Sequence, residues 1–159
     1  MCGEFNGVDK PLVKGQLWLG ADIDTINLLT PRLEHVGELQ AWDVNTGKQV
    51  WMHPFQYQLF DSVLATAGNL VFTGGTNDRM FRAFDARTGE VLWQQRTNSG
   101  ITAMPVAFQV GDTEYIAVQS GWGVDAQRIQ DAFAKTSLKL DANMVPQGGV
   151  IWVWALRQH

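Results

Sequence analysis

The sequence predicts an all-β chain: about three four-stranded blades of a larger β-propeller, with one short helix inside an insertion. A duplication carries most of this expectation. AWDVNTGKQVW at 41–51 recurs as AFDARTGEVLW at 83–93, forty-two positions on, with five of eleven positions identical and Trp42 matched by Phe84. A spacing near forty residues is the length of one four-stranded blade. The second observation is a series of turn residues at hairpin spacing, Gly68-Asn69, Gly74-Gly75 and Gly111-Asp112 among them. The third is composition: 45% hydrophobic residues, sixteen glycines and seven tryptophans describe a globular, β-rich chain rather than a disordered or collagenous one.

Each copy of the repeat reads as strand, turn, strand. Asp43 or Asp85 follows an apolar strand end, and its carboxylate can accept backbone N–H groups two or three residues on. Gly47 and Gly89 supply the positive φ of a hairpin bulge, and the next strand ends on Trp51 or Trp93. A large indole at a fixed place in each blade is suited to core packing as a wedge against the neighbouring blade.

In chain order, a first blade is expected over about 12–55. It opens with a short apolar strand at 16–20, passes through a loop at 22–36 containing Pro31, and closes with strands at 38–43 and 49–53. The second blade, about 60–97, has strands at 62–67, 70–73, 81–85 and 90–95. A third, about 100–156, has strands at 101–110, 115–119 and 149–154, interrupted by an insertion at 121–148. Within 125–140, Ile129, Ala132, Phe133 and Leu140 among polar residues give a modest helical pattern, so a short covering helix is expected. No Asp-x-x-Thr-Gly turn or fourth strand follows 154.

Charge and motif content exclude several functions. A net charge of −4 and scattered Lys and Arg leave no basic stripe for nucleic acid. No apolar run is long enough to span a bilayer, and Met1-Cys2-Gly3-Glu4 lacks the regions of a signal peptide. Cys2 is the single cysteine, so an internal disulfide is impossible. His35, His53 and His159 are not at metal-ligand spacing, and no nucleophile triad or phosphate loop is present.

Three blades do not close a ring. A compact chain of 17.7 kDa buries roughly two thirds of its extended surface. A three-blade wedge instead leaves apolar sides on the order of several hundred Å². The chain is therefore expected to be a segment of a larger propeller, or to associate with other copies of itself.

Four further stretches add a resemblance: Gly37-Glu38-Leu39-Gln40-Ala41-Trp42-Asp43; Leu64-Ala65-Thr66-Ala67-Gly68-Asn69-Leu70-Val71-Phe72; Ser120-Gly121-Trp122-Gly123; and Gln147-Gly148-Gly149. In this order and spacing they resemble the carboxy-terminal part of the pyrroloquinoline quinone (PQQ)-dependent alcohol dehydrogenases, the methanol/ethanol dehydrogenase family. The resemblance implies an eight-bladed, periplasmic quinoprotein propeller with tryptophan-docked blades, PQQ near its axis and a calcium or lanthanide ion beside it. It implies oxidation of a primary alcohol to the aldehyde, with an Asp as base and electrons leaving to cytochrome c or a quinone. Gly121 and Trp122 match a family position where backbone and indole approach the cofactor. Phe60 stands where many members carry the Trp of Trp-Gly-Gly. The catalytic base and the metal ligands are expected outside this chain, so the chain alone is expected to be inactive. Asp22, Asp24, Asp61 and Asp125 match no family motif and are assigned no role.

An alternative is a non-catalytic PQQ-repeat propeller used as a scaffold, which gives no reason for Gly121-Trp122-Gly123 or for the insertion. A third is a short independent protein that completes a ring by self-association.

Overall fold

A computed structural model describes residues 2–9, 11–16, 18, 20–27, 35–57, 59–121 and 145–156. Its described elements are strands paired antiparallel in four sheets. β1 (Cys2–Gly7) pairs with β2 (Ala21–Asn27), and β3 (Gly37–Asp43) with β4 (Lys48–Phe55). β5 (Leu64–Ala65), β6 (Leu70–Gly74), β7 (Met80–Asp85) and β8 (Val91–Arg96) form a four-stranded meander. β9 (Val106–Val110), β10 (Thr113–Gly121) and β11 (Gly149–Leu156) form a three-stranded sheet with β10 central.

Both repeated hairpins form as the turn chemistry requires. In the first, Asp43 accepts from Asn45 N at 2.8 Å and from Thr46 Oγ1 at 2.9 Å, and Gly47 N donates to Asp43 O at 2.8 Å. In the second, Asp85 Oδ1 accepts from Arg87 N at 2.8 Å and Thr88 N at 3.0 Å, and Gly89 N donates to Asp85 O at 2.9 Å. These donors hold both carboxyls below their ordinary pKa. Gly47 (φ 64°) and Gly89 (φ 73°) take the left-handed conformation, and the ladder bulges at Ala41/Trp42 and at Ala83/Phe84.

The meander is covered on both faces, so successive residues of β6 are buried and those of β7 are buried or half-buried throughout, instead of every second one. Alternate residues serve two cores. Phe72, Phe81 and Ala83 join Ile101, Ile116 and Val118, with Trp152, Trp154 and Leu156 packed against them. Val71 and Phe84 join Leu39 and Phe55, with Trp51 beside them. The meander thus lies between the β3–β4 hairpin and the three-stranded sheet.

The two repeat tryptophans meet different surfaces. Trp51 crosses to the next sheet, where its indole Nε1–H donates to Ala86 O at 2.9 Å and its ring lies over Gly89. A Cβ at Gly89 would stand 2.6 Å from that ring. Trp93 meets no such turn among the described residues. It packs edge-on against Trp154 at 5.4 Å between centroids, and Trp154 stacks on Phe81 at 5.0 Å and on Trp152 at 5.7 Å. On the outer sides, Trp42, Val50 and Met52 of the hairpin and Ile151 and Val153 of β11 remain exposed.

Several expectations need correction. The described residues of 16–20 form no strand, whereas β2 runs through 21–27, inside the expected loop. Apolar and acidic residues alternate over Ala21–Asp24, and the mixed charge masked this period of two. The first strand of the meander is only Leu64–Ala65. The strand expected over 101–110 starts at Val106, with Ile101 making an isolated bridge to Ser120, because Pro105 has no N–H for a ladder. The helix expected in 125–140 lies outside the described residues.

Gly47 and Gly89 share a backbone conformation but not surroundings, since nothing lies within 4 Å of a Cβ at Gly47. Gly47→Ala should therefore lose about 1–2 kcal/mol for the left-handed backbone alone. Gly89→Ala should lose about 1–3 kcal/mol more through overpacking against Trp51. Denaturant melts of the two variants check this, and equal losses would mean that Trp51 is not seated on Gly89.

Candidate functional site

Antiparallel order sends alternate connections to the same end of neighbouring sheets. At one end lie the repeat turns at 43–47 and 85–89. At the other meet the β4–β5 connection, the β6–β7 turn at 75–79, the β8–β9 connection, the end of β10 and the start of β11. Backbone bonds tie these together: Thr97 N to Arg79 O at 2.8 Å, Ile101 N to Gly75 O at 3.1 Å, and Gly121 N to Gly100 O at 2.9 Å.

Close approach at this end depends on small residues. A Cβ at Gly74 would collide with the Ile101 side chain, and one at Gly100 with Thr76 O. Behind them a buried hydroxyl network fixes the loops. Ser120 Oγ lies 3.0 Å from Thr97 Oγ1 and 2.8 Å from Ser99 O, and accepts from Ser99 N at 3.1 Å. Ser99 Oγ donates to Pro146 O at 2.6 Å, and Thr97 Oγ1 donates to Arg79 O at 3.0 Å. Trp152 Nε1–H adds a bond to Asn98 Oδ1 at 2.9 Å. Hydroxyls that both donate and accept suit such a junction, because each satisfies two backbone segments at once.

Of the residues singled out in the sequence, Gly121 belongs to this junction. It pairs with Gly149, and a Cβ on it would stand 3.2 Å from Gly148 O. Its missing side chain thus serves the apposition of β10 and β11. Phe60 is half-exposed at the same end. Its neighbour Asp61 reaches Gly74, which abuts Ile101, next to the Gly100 that binds Gly121. Trp122 lies outside the described residues. Among the described residues no group of three His, Cys, Asp or Glu side chains could hold a metal ion. His35 instead meets Glu38 at 2.5 Å, and His53 packs among Phe55 and Phe84.

Asp61 carries the strongest electrostatic perturbation of the junction, yet no motif singled it out. Its Oδ2 accepts from Gly74 N, while Oδ1 is buried with no hydrogen-bond partner at bonding distance among the described residues. Burial pushes its carboxyl from the ordinary 3.8 up to about 7, against the opposing pull of the Gly74 and Ser62 N–H groups. Asn77 is a second residue that the sequence did not single out. It is buried, and neither of its amide atoms has a partner among the described residues. Gly74-Gly75 was a turn signal, but only the packed loops reveal what that turn buries.

Comparison with known proteins follows the same segment. The family described as glucose/ethanol/alcohol dehydrogenase, PQQ β-propeller domain, matches residues 53–116. The quinoprotein alcohol dehydrogenase PedE of Pseudomonas putida is 42% identical over 123 residues, 77% of this chain and 18% of the relative. The lanthanide-dependent methanol dehydrogenase of Methylacidiphilum fumariolicum is 35% identical over 124 residues, 77% of this chain and 20% of the relative. A solved europium-containing methanol dehydrogenase superposes with a TM-score of 0.73 at 29% identity, covering 98% of this chain and 29% of that one. The chain spans about a fifth of the length of these curated relatives.

The perturbed carboxyl sets a pH dependence. The folded chain holds the Asp61 proton up to about pH 7, whereas the unfolded chain releases it near 3.8. Its contribution to stability is therefore complete below about pH 4 and is lost as pH rises through 7. Asp61→Asn, which keeps an acceptor for Gly74, should remove this slope. The difference in melting temperature between variant and parent should grow in the variant's favour from pH 4 to 8. A constant difference across that range would contradict it.

Proposed function

We propose that this chain, homologous to a segment of the PQQ-type quinoprotein alcohol dehydrogenases, supplies neighbouring blades of a periplasmic dehydrogenase propeller. The proposed reaction is oxidation of a primary alcohol to the aldehyde, with electrons passed to cytochrome c or a quinone. The observation that carries this reading is that sequence similarity and superposition both follow the region whose repeat hairpins and glycine junction are built above. In this reading Trp51 on Gly89 is the docking of one blade on the next, and the three sheets from β3 to β11 correspond to blades within about 12–55, 60–97 and 100–156.

PQQ is a flat tricarboxylate that needs aromatic or apolar faces and donors around its rim, and a hard cation beside it needs oxygen ligands. The described residues do not accommodate either group by themselves. Gly121 is filled by its own neighbours at Gly148–Gly149, and no carboxylate cluster is at hand among the described residues. From the family resemblance, the base, the calcium or lanthanide ligands and most of the quinone site are proposed to lie in residues beyond this segment. Within it, Gly121, Trp122 and Phe60 are the proposed contacts toward the cofactor. The role left to the described residues is positional, holding the end of β10 and the segment around Phe60 against one scaffold.

Two measurements test this reading. The 159-residue chain supplied with PQQ and calcium or lanthanum should give no alcohol-dependent dye reduction, and turnover above background would overturn its proposed inactivity. A quinoprotein ethanol dehydrogenase carrying residues 37–156 in place of its own matched segment should retain PQQ-dependent ethanol oxidation. A folded chimera that binds no PQQ would count against the family function.

A further inference from the structure

β5 stops short of where its register would carry it. Thr66 N donates to Leu70 O at 2.9 Å, and Leu64 stands opposite Phe72. Continued towards the chain start, the same register places Val63 opposite Thr73 and Ser62 opposite Gly74. On the β7 side, Gly75 N donates to Met80 O at 2.9 Å. Backbone groups alternate between the two sides of a strand, so the N–H and C=O of Gly74 face the β5 side, where a Ser62–Gly74 pair would exchange both bonds. Yet Ser62 and Val63 lie outside the ladder and are exposed, as is Phe60 before them.

The Asp61 side chain takes the place of that pair. Its Oδ2 accepts from Gly74 N, and the Ser62 N–H draws on the same carboxyl. Both N–H groups that ladder pairing would use are thus turned to one side chain. Among the described residues, no other hydrogen bond ties 59–63 to a neighbouring element. The fit is close, since a Cβ at Gly74 would stand 2.9 Å from Asp61 Oδ2 and would collide with Ile101. No ionisable side chain lies in β6 or in 97–105. Tyr57 is the other ionisable group of the β4–β5 connection, and in the β6–β7 turn Asp78 meets Arg82 at 2.5 Å while Arg79 donates to Asn98 O at 3.3 Å. None of these sets the state of Asp61, which burial governs against the two N–H donors.

We infer that Asp61 is a proton-operated switch between two pairings of β5. With the carboxyl protonated, Asp61 caps Gly74 and keeps 60–63 off the sheet. With the proton lost, the side chain leaves for water, Ser62 and Gly74 exchange N–H···O bonds, and β5 lengthens to begin at Ser62. Both arrangements satisfy the Gly74 N–H, so neither carries the cost of an orphaned donor. They differ in where the carboxyl sits: buried, with Oδ1 unpartnered among the described residues, in one, and hydrated in the other. The buried carboxyl holds its proton up to about 7 and a hydrated one only to its ordinary 3.8. The capped form is therefore fully favoured below about pH 4, and its ratio to the extended form falls about tenfold for each pH unit up to 7. The exchange carries Phe60 with the connection.

Nuclear magnetic resonance on the isotope-labelled full chain tests the switch. In an antiparallel ladder the Hα atoms of a non-hydrogen-bonded pair lie close, and Val63 with Thr73 would be such a pair. Raising the pH from 5 to 8 should bring up a Val63 Hα–Thr73 Hα cross-peak in step with the titration of the Asp61 carboxyl carbon. Asp61→Asn, neutral at every pH and still an acceptor for Gly74, should lack the cross-peak throughout. Asp61→Ala should show it already at pH 5. An unchanged Trp51 Nε1–H resonance, reporting its bond to Ala86 O, would establish that each variant is folded. The parent's own titration decides the matter even if a variant does not fold. A cross-peak that is absent or constant from pH 5 to 8 in the parent, that is present in Asp61→Asn, or that is missing from folded Asp61→Ala would each overturn the inference.

Discussion

One indole bears on the register between neighbouring sheets. Trp51 leaves its own hairpin, lays its ring on Gly89 and donates to Ala86 O at 2.9 Å. The hydrogen bond gives the ring a direction and the glycine gives it room, so the contact fixes rotation as well as distance. It also constrains Gly89 twice, through a φ of 73° and through the space above it. The core of Leu39, Phe55, Val71 and Phe84 then fills the interface that this contact has aligned.

The next interface obeys the same rule with different means. Trp93 occupies the equivalent place in the second repeat but meets Trp154 instead of a glycine turn. Phe81, Trp152 and Trp154 take over the packing, and Ile101 joins the core from the β8–β9 connection. The end opposite the repeat turns is closed by backbone and hydroxyl groups, with Ser120 serving Thr97 and Ser99 together. One interface thus leans on an indole–glycine contact, while the other leans on stacked rings and a polar knot.

What could be read from the sequence was local or repeated. The Asp43 and Asp85 turns, the positive φ of Gly47 and Gly89 and the strands around them depend on residues within five positions of one another, so their chemistry is written in order. The β1–β2 hairpin was not legible, because β2 alternates apolar with acidic residues and its partner lies some twenty positions upstream. Asp61 and Asn77 escaped for a different reason. What sets them apart is burial in the folded chain, Asp61 against Gly74 and Asn77 within the β6–β7 turn, and no spacing of residues encodes it. Gly121 was visible as a motif, yet its packing against Gly148 and Gly149 emerged only once β10 and β11 were paired.

The row Trp93, Trp154, Trp152 brings three indoles within 5.4 and 5.7 Å of their neighbours, one pair at 74° and the other nearly parallel at 11°. Chromophores this near share their excitations, so the trio acts as a single optical unit rather than three independent emitters. Parting of the meander from the three-stranded sheet separates Trp93 from that unit and leaves the pair on β11 intact. The molecule therefore carries a built-in spectroscopic gauge of that one interface, distinguishable in its light absorption from any loosening around Trp51.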